Sequence, residues 1–104
     1  MVSGETIRAT LLVNESARGV SRGFDGARAA DYLRSKGVDT RLIFPETGSG
    51  ATARAREVAE RGDDLLFVAG GDGTLRDAAL GISGTDTALA PIPMGTVNVF
   101  AREI

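Results

Sequence analysis

Gly70-Gly71-Asp72-Gly73-Thr74 places a carboxylate and a hydroxyl among three glycines. Five apolar residues, Leu65 to Ala69, lead into it, and a helical pattern begins at Leu75. An apolar run of this length, ended by glycines, predicts a parallel strand buried on both faces. The glycine turn then falls at the carboxyl end of a strand opening into a helix, where ligands bind in α/β sheets. Glycines there permit positive φ and close approach of a ligand to the backbone. Successive N–H groups converge on an anion, helped by the positive end of the following helix. The chemistry expected is phosphate binding. The plainer reading, a tight βα connection, explains one or two glycines but not the aspartate between them. Asp72 itself reads in two compatible ways. It can cap the helix, as aspartates at such positions do, or it can position Mg²⁺-bound phosphates and order the turn that holds them.

A second polar cluster, Gly95-Thr96-Val97-Asn98, follows the last predicted strand. Alone it reads as a turn in which Thr96 and Asn98 bond their own backbone. Two such loops on one sheet rim face a single crevice, and Asn14, ending the first predicted strand, lies on that rim too. Gly48-Ser49-Gly50-Ala51-Thr52-Ala53 offers a competing G-x-G-x-x-A pattern. Pro45-Glu46-Thr47 separates it from the preceding strand, however, where a dinucleotide fingerprint needs an immediate turn. Arg18 and Arg22 in the first loop could reach a phosphate, but surface arginines usually do no more than solvate, and the arginines of the predicted helices read as solvent faces.

Strands and helices alternate along the chain, which predicts an α/β fold, a three-layer parallel sheet with right-handed crossovers. Strands are expected near Ala9 to Asn14, Asp39 to Phe44, Leu65 to Ala69 and Ala88 to Ile92. The first helix is expected over Phe24 to Lys36, burying Phe24, Ala27, Ala30 and Leu33. The second carries Ala51, Ala55, Val58 and Ala59 on its inner face. The third carries Leu75, Ala78, Ala79 and Ile82 at helical spacing.

The 104 residues, 42% hydrophobic and 25% charged, suit one soluble globular domain. A net charge of −2 gives no broad attraction for nucleic acid or an anionic membrane. Histidine and cysteine are absent, so no thiol nucleophile, imidazole base or thiolate zinc site exists in this stretch. Lys36 is the one lysine beside eleven arginines, and no Walker-type Gly-x-x-x-x-Gly-Lys-Ser/Thr occurs. No apolar run has the length of a membrane span and the polar start lacks a signal-peptide core, so a cytoplasmic location is expected.

Val68-Ala69-Gly70-Gly71-Asp72-Gly73-Thr74-Leu75, followed by Pro91-Ile92-Pro93-Met94-Gly95-Thr96-Val97-Asn98-Val99-Phe100-Ala101-Arg102, resembles the catalytic domain of diacylglycerol kinases. That family includes sphingosine, ceramide and bacterial lipid kinases, and the resemblance runs from Leu12-Val13-Asn14 onward. Gly-Gly-Asp-Gly-Thr is shared with NAD kinases and resembles a turn in phosphofructokinases, whereas Gly-Thr-x-Asn-x-Phe-Ala-Arg looks like the lipid-kinase branch. The resemblance implies a Rossmann-like sheet of the NAD kinase and diacylglycerol kinase type. Residues 1–104 would be its N-terminal ATP-binding portion, truncated before a β-rich second domain that binds lipid. It implies ATP and Mg²⁺ as cofactors, with Gly70, Gly71, Asp72, Gly73, Thr74 and Leu75 as the nucleotide-phosphate turn. Asn14, Thr47, Gly95, Thr96 and Asn98 join them as further nucleotide-site residues, and Asp72 is the catalytic candidate.

The general base and metal ligands are expected beyond residue 104. Three departures bear on efficiency and substrate range. The family's Asn-Pro is Asn14-Glu15, its Asp after the second motif's Asn is Val99, and its Gly-Asp-Ala reads Ser49-Gly50-Ala51. The implied activity is transfer of the ATP γ-phosphate to a lipid hydroxyl, with peripheral membrane association in a full-length protein. The alternatives are an NAD kinase-like enzyme and a non-catalytic nucleotide-binding module. A surface meant for a second domain also offers a route to homo-oligomers.

Overall fold

The computed structural model describes residues 6–14, 25–45 and 50–92. Four strands alternate with three helices: β1 (Ile7–Val13), α1 (Gly26–Ser35), β2 (Val38–Ile43), α2 (Gly50–Glu60), β3 (Leu65–Ala69), α3 (Asp72–Ile82) and β4 (Ala88–Ile92). All strand pairs are parallel, in the order β2-β1-β3-β4. The chain first steps from β1 to β2, then crosses back over β1 to β3 and continues to β4. With right-handed crossovers, that reversal puts α1 on one face and α2 and α3 on the other.

The core divides the same way. Leu11, Val13, Ala29, Ala30, Ala69 and Ile92 pack on the α1 side. Leu12, Ile43, Ala55, Val58, Leu66, Val68, Ala78 and Ile82 pack on the side of α2 and α3. β1 is the most deeply buried strand, with Ala9 to Val13 no more than 1% exposed. β3 was expected to be covered on both faces, yet Leu65 and Phe67 are half-buried. The reason is that α1 lies mainly over β2 and β1.

Local signals fix the element ends. Asp25 caps α1 by accepting from the Arg28 amide at 3.1 Å. α2 ends in a Schellman turn: the Gly62 amide donates to the Ala59 carbonyl at 2.9 Å and the Asp63 amide to Val58 at 3.3 Å. Gly62 takes φ +84° there, a conformation that favours glycine. This turn delivers Asp63 to the amino end of the sheet, 3% exposed. Its Oδ2 accepts from Thr10 Oγ1 at 2.6 Å, and its Oδ1 lies 3.4 Å from Arg61 Nε and 3.7 Å from Arg8 Nη2.

Several helix faces differ from expectation. On α1 the buried positions are Gly26, Ala29 and Ala30, with Ala27 exposed and Leu33 half-buried, so the face keeps Ala30 but is rotated by less than a quarter of a turn; Phe24 lies outside the described residues. On α3, Ala79 is exposed and Gly81 is buried in its place. A Cβ on Gly81 would run into the Thr52 carbonyl oxygen and come within 2.6 Å of Ala55 Cβ. The α2–α3 seam thus closes on small residues, which periodicity alone could not distinguish from helix breakers.

Candidate functional site

The carboxyl ends of β1 and β3 are neighbours in the sheet, with Val13 in register with Ala69. The connections from β1 and β3 leave toward opposite faces, so this is the topological switch point where α/β sheets form ligand crevices. Gly70 to Thr74 rise from the β3 side and Asn14 ends the β1 side.

α3 begins earlier than the apolar spacing indicates, at Asp72 rather than Leu75. Gly71 is the N-cap, in extended conformation (φ −87°, ψ −175°) and without a side chain to cap with. The first intrahelical bond runs from the Leu75 amide to the Gly71 carbonyl at 3.0 Å. The amides of Asp72, Gly73 and Thr74 therefore lie ahead of that bond, where helical N–H groups lack intrahelical acceptors. Asp72 is the first helical residue, so it does not act as the N-cap. Its charge still favours the positive helix end. The side chain is exposed, and among the described residues no hydrogen bond or ion pair engages it.

The glycines are not needed for unusual backbone angles. Among the described residues positive φ occurs at Gly37, Gly62 and Gly84, and not at Gly70, Gly71 or Gly73. The expectation of left-handed backbone in this turn is therefore corrected: a helix start supplies ordinary negative φ. Space distinguishes the three glycines instead. Among the described residues, a Cβ on Gly71 or Gly73 would meet nothing within 4 Å, whereas one on Gly70 would lie 2.9 Å from Thr74 Cβ.

Thr74 points inward and is 7% exposed. Its Oγ1 accepts a hydrogen bond from Asn14 Nδ2 at 2.7 Å. Leu75 packs partly buried against the α2–α3 side of the core. Beside the turn opens a cavity of about 230 Å³, with Gly70, Gly71, Asp72 and Leu75 on one side and Pro91 and Ile92 on the other. β4 thus points its carboxyl end at the same rim. Thr47, Gly95, Thr96 and Asn98 lie outside the described residues. The sheet brings together Asn14 and Gly70 to Leu75.

Sequence reasoning did not single out Pro91 and Ile92 as cavity walls; their place follows from the β3–β4 register, Val68 with Pro91 and Ala69 with Ile92. A perturbed charge elsewhere has a different meaning. Burial, then Arg61, holds the Arg41 guanidinium below its ordinary value, and Arg41 sits on β2 among the arginines and acids of α2 and the amino rim.

A family model described as the diacylglycerol kinase catalytic domain matches residues 8–104. A diacylglycerol kinase of Bacillus subtilis (strain 168) is 35% identical over 80 residues, covering 75% of this chain and 26% of that protein. One of Staphylococcus epidermidis (strain ATCC 12228 / FDA PCI 1200) is 40% identical over 74 residues, covering 69% and 23%. A solved structure from Bacillus anthracis str. Sterne, provisionally assigned as a diacylglycerol kinase, superposes with a TM-score of 0.71 at 27% identity. It covers 86% of this chain and 33% of its own. The chain spans about a quarter of the length of these curated relatives.

Proposed function

Because the chain belongs to the diacylglycerol kinase catalytic domain family, we propose that it forms the ATP-binding part of a lipid kinase. The observation that carries this reading is the open space at Gly71 and Gly73. Neither has a positive φ, and no described neighbour excludes a side chain at either position. Gly73 lies in the first turn of α3, where glycine costs roughly 0.5–1 kcal/mol relative to alanine, whereas Gly71 is the N-cap, a position at which glycine is favoured over alanine. What glycine supplies there is access to the amides of residues 72–74, which suits a phosphate chain pressed against the backbone.

Asp72 fits this reading only with a cation. A carboxylate beside bare phosphates would repel them, and its exposed position, without a partner among the described residues, leaves it able to face a bound Mg²⁺. Among the described residues no group of three or more acidic, histidine or cysteine side chains could hold a metal. Mg²⁺ is commonly held by one or two carboxylates together with substrate phosphates and water. Bound there, Mg²⁺ would neutralise phosphate charge during transfer. The chain's own part is positioning: the amides of residues 72–74 fix the phosphates, Asp72 orients them through the ion, and the cavity beside Pro91 and Ile92 receives part of the nucleotide. Asn14, Thr47, Gly95, Thr96 and Asn98 belong to the same proposed site.

The acceptor is proposed to be a lipid hydroxyl, bound by a β-rich domain outside residues 1–104 that also supplies the general base. Residues 1–104 alone are then unable to phosphorylate lipid at a meaningful rate. No helix among the described residues is long and apolar enough to cross a membrane. The lipid-kinase reading carries with it a cytoplasmic protein that touches membranes peripherally through its lipid substrate.

The test is Mg²⁺-dependent transfer of label from ATP to diacylglycerol by the longer protein, beside the 1–104 fragment. Transfer to NAD instead, or ATP binding without transfer, would replace the lipid-kinase reading. Unchanged ATP affinity in both Gly71→Ala and Gly73→Ala would remove the phosphate turn.

A further inference from the structure

Asn14 touches the glycine turn at both of its ends. Its backbone N–H donates to the Ala69 carbonyl at 2.9 Å, one residue before Gly70. Its side-chain Nδ2 donates to Thr74 Oγ1 at 2.7 Å, one residue after Gly73. The residue that follows β1 therefore brackets the whole segment from Gly70 to Gly73.

Packing supports the same arrangement. The Thr74 side chain is buried over Gly70, where an added Cβ would lie 2.9 Å from its Cβ and 3.0 Å from both Cγ2 and Oγ1. Gly70 is thus a glycine for the sake of Thr74, unlike Gly71 and Gly73. A nearly buried hydroxyl that already accepts a 2.7 Å bond is poorly placed to be a primary phosphate contact. It is well placed to fix the first turn of α3 against the end of β1.

We infer that Asn14 and Thr74 act as one latch that sets the turn's shape, with Thr74 a positioning residue for the amides and carboxylate at residues 71–73. This rests on the nucleotide-binding reading above, and it changes the role of two residues within it. Independent ligand contacts contribute additively to affinity, whereas two halves of one latch do not. The latch also ties the end of β1 to the turn after β3, so both sides of the switch-point crevice share one fixed point.

Mg²⁺–ATP titrations of the longer protein carrying Asn14→Ala, Thr74→Val and the pair together test this. Each single change is expected to weaken affinity by about fivefold to tenfold, the scale of one net hydrogen bond. The double variant should be no weaker than the poorer single, and Thr74→Ser should restore affinity to within about twofold. Multiplying losses in the double variant would overturn the latch and make the residues separate contacts.

A wild-type protein that does not bind ATP would sink the nucleotide reading, and the latch is then decided without ligand. Backbone ¹⁵N order parameters of Gly71 to Gly73 should fall in Thr74→Val and stay at the wild-type level in Thr74→Ser. They should also hold in Asn14→Asp, where the Thr74 hydroxyl can donate to the new carboxylate. Equal order in wild type and Thr74→Val would overturn the inference.

Discussion

Two aspartates sit at opposite ends of β3 and meet opposite fates. Asp63, before the strand, is 3% exposed and takes a hydrogen bond from Thr10 with Arg61 and Arg8 close by. Its carbonyl also accepts from Thr87 Oγ1 at 2.8 Å. Asp72, after the strand, is exposed, and among the described residues its carboxylate has no partner. The described residues supply partners to one carboxylate and none to the other. A buried acid with its partners in place reports on the architecture of the amino rim. An exposed acid at a helix start, beside a glycine whose added Cβ would meet no described residue, is the one proposed above to serve a ligand.

That contrast can be broken most decisively by removing charge at Asp72. Asp72→Asn in the longer protein keeps nearly the same shape. Turnover is expected to fall by about two orders of magnitude or more, as when a group positioned on transition-state charge is lost. Its melting temperature should barely move. Wild-type phosphorylation rates in this variant would place Asp72 with the structural acids.

The converse change is Asp63→Ala. It removes the charged acceptor of a buried hydroxyl and should destabilise by about 2–3 kcal/mol, mostly from the Thr10 bond. The two arginines add little, because their side chains are 47% and 38% exposed and solvent screens them. Equilibrium denaturation measures this, and a loss below about 0.5 kcal/mol would show that the rim does not depend on Asp63.

Glycines sharpen the same distinction between the two regions. Gly81→Ala drives a methyl into the Thr52 carbonyl and Ala55 across the α2–α3 seam. Overpacking of this kind should cost about 1–3 kcal/mol. Gly73→Ala puts its methyl in open space and should stabilise α3 by up to about 1 kcal/mol, while Mg²⁺–ATP affinity falls. Thermal melts together with ATP titrations on both variants separate a glycine kept for packing from one kept for a ligand. If Gly73→Ala lost stability and kept its affinity, the two would have exchanged roles.

Much of the frame is legible in the residues. Leu65 to Ala69 form β3 with the expected bounds because an apolar run punctuated by glycines has few other outcomes. Ala88 to Ile92 form β4 as expected, and Pro91 is tolerated because the strand lies at an edge of the sheet. The inner face of α2 also agrees, with Ala51, Ala55 and Val58 buried. Faces built from alanines and glycines were read less well. Ala27 against Ala29, and Ala79 against Gly81, differ too little in hydrophobicity for periodicity to decide which meets a neighbour. The second half of the candidate site, Gly95, Thr96 and Asn98 with Thr47, lies outside the described residues.

By itself the sequence determined the parallel α/β class, the family and the rim on which Gly70 to Leu75 stand. Each follows from signals a few residues long: an apolar run, a glycine cluster, a change from strand to helix period. Tertiary structure decided what those residues do for one another. The Asn14–Thr74 bond joins residues far apart in the chain, and it exists because crossover connections place the ends of β1 and β3 side by side. The division of labour among Gly70, Gly71 and Gly73 also depends on which atoms crowd each Cα. No local pattern carries that information, since only the packed neighbours show whether a missing side chain makes room for the fold or for a ligand.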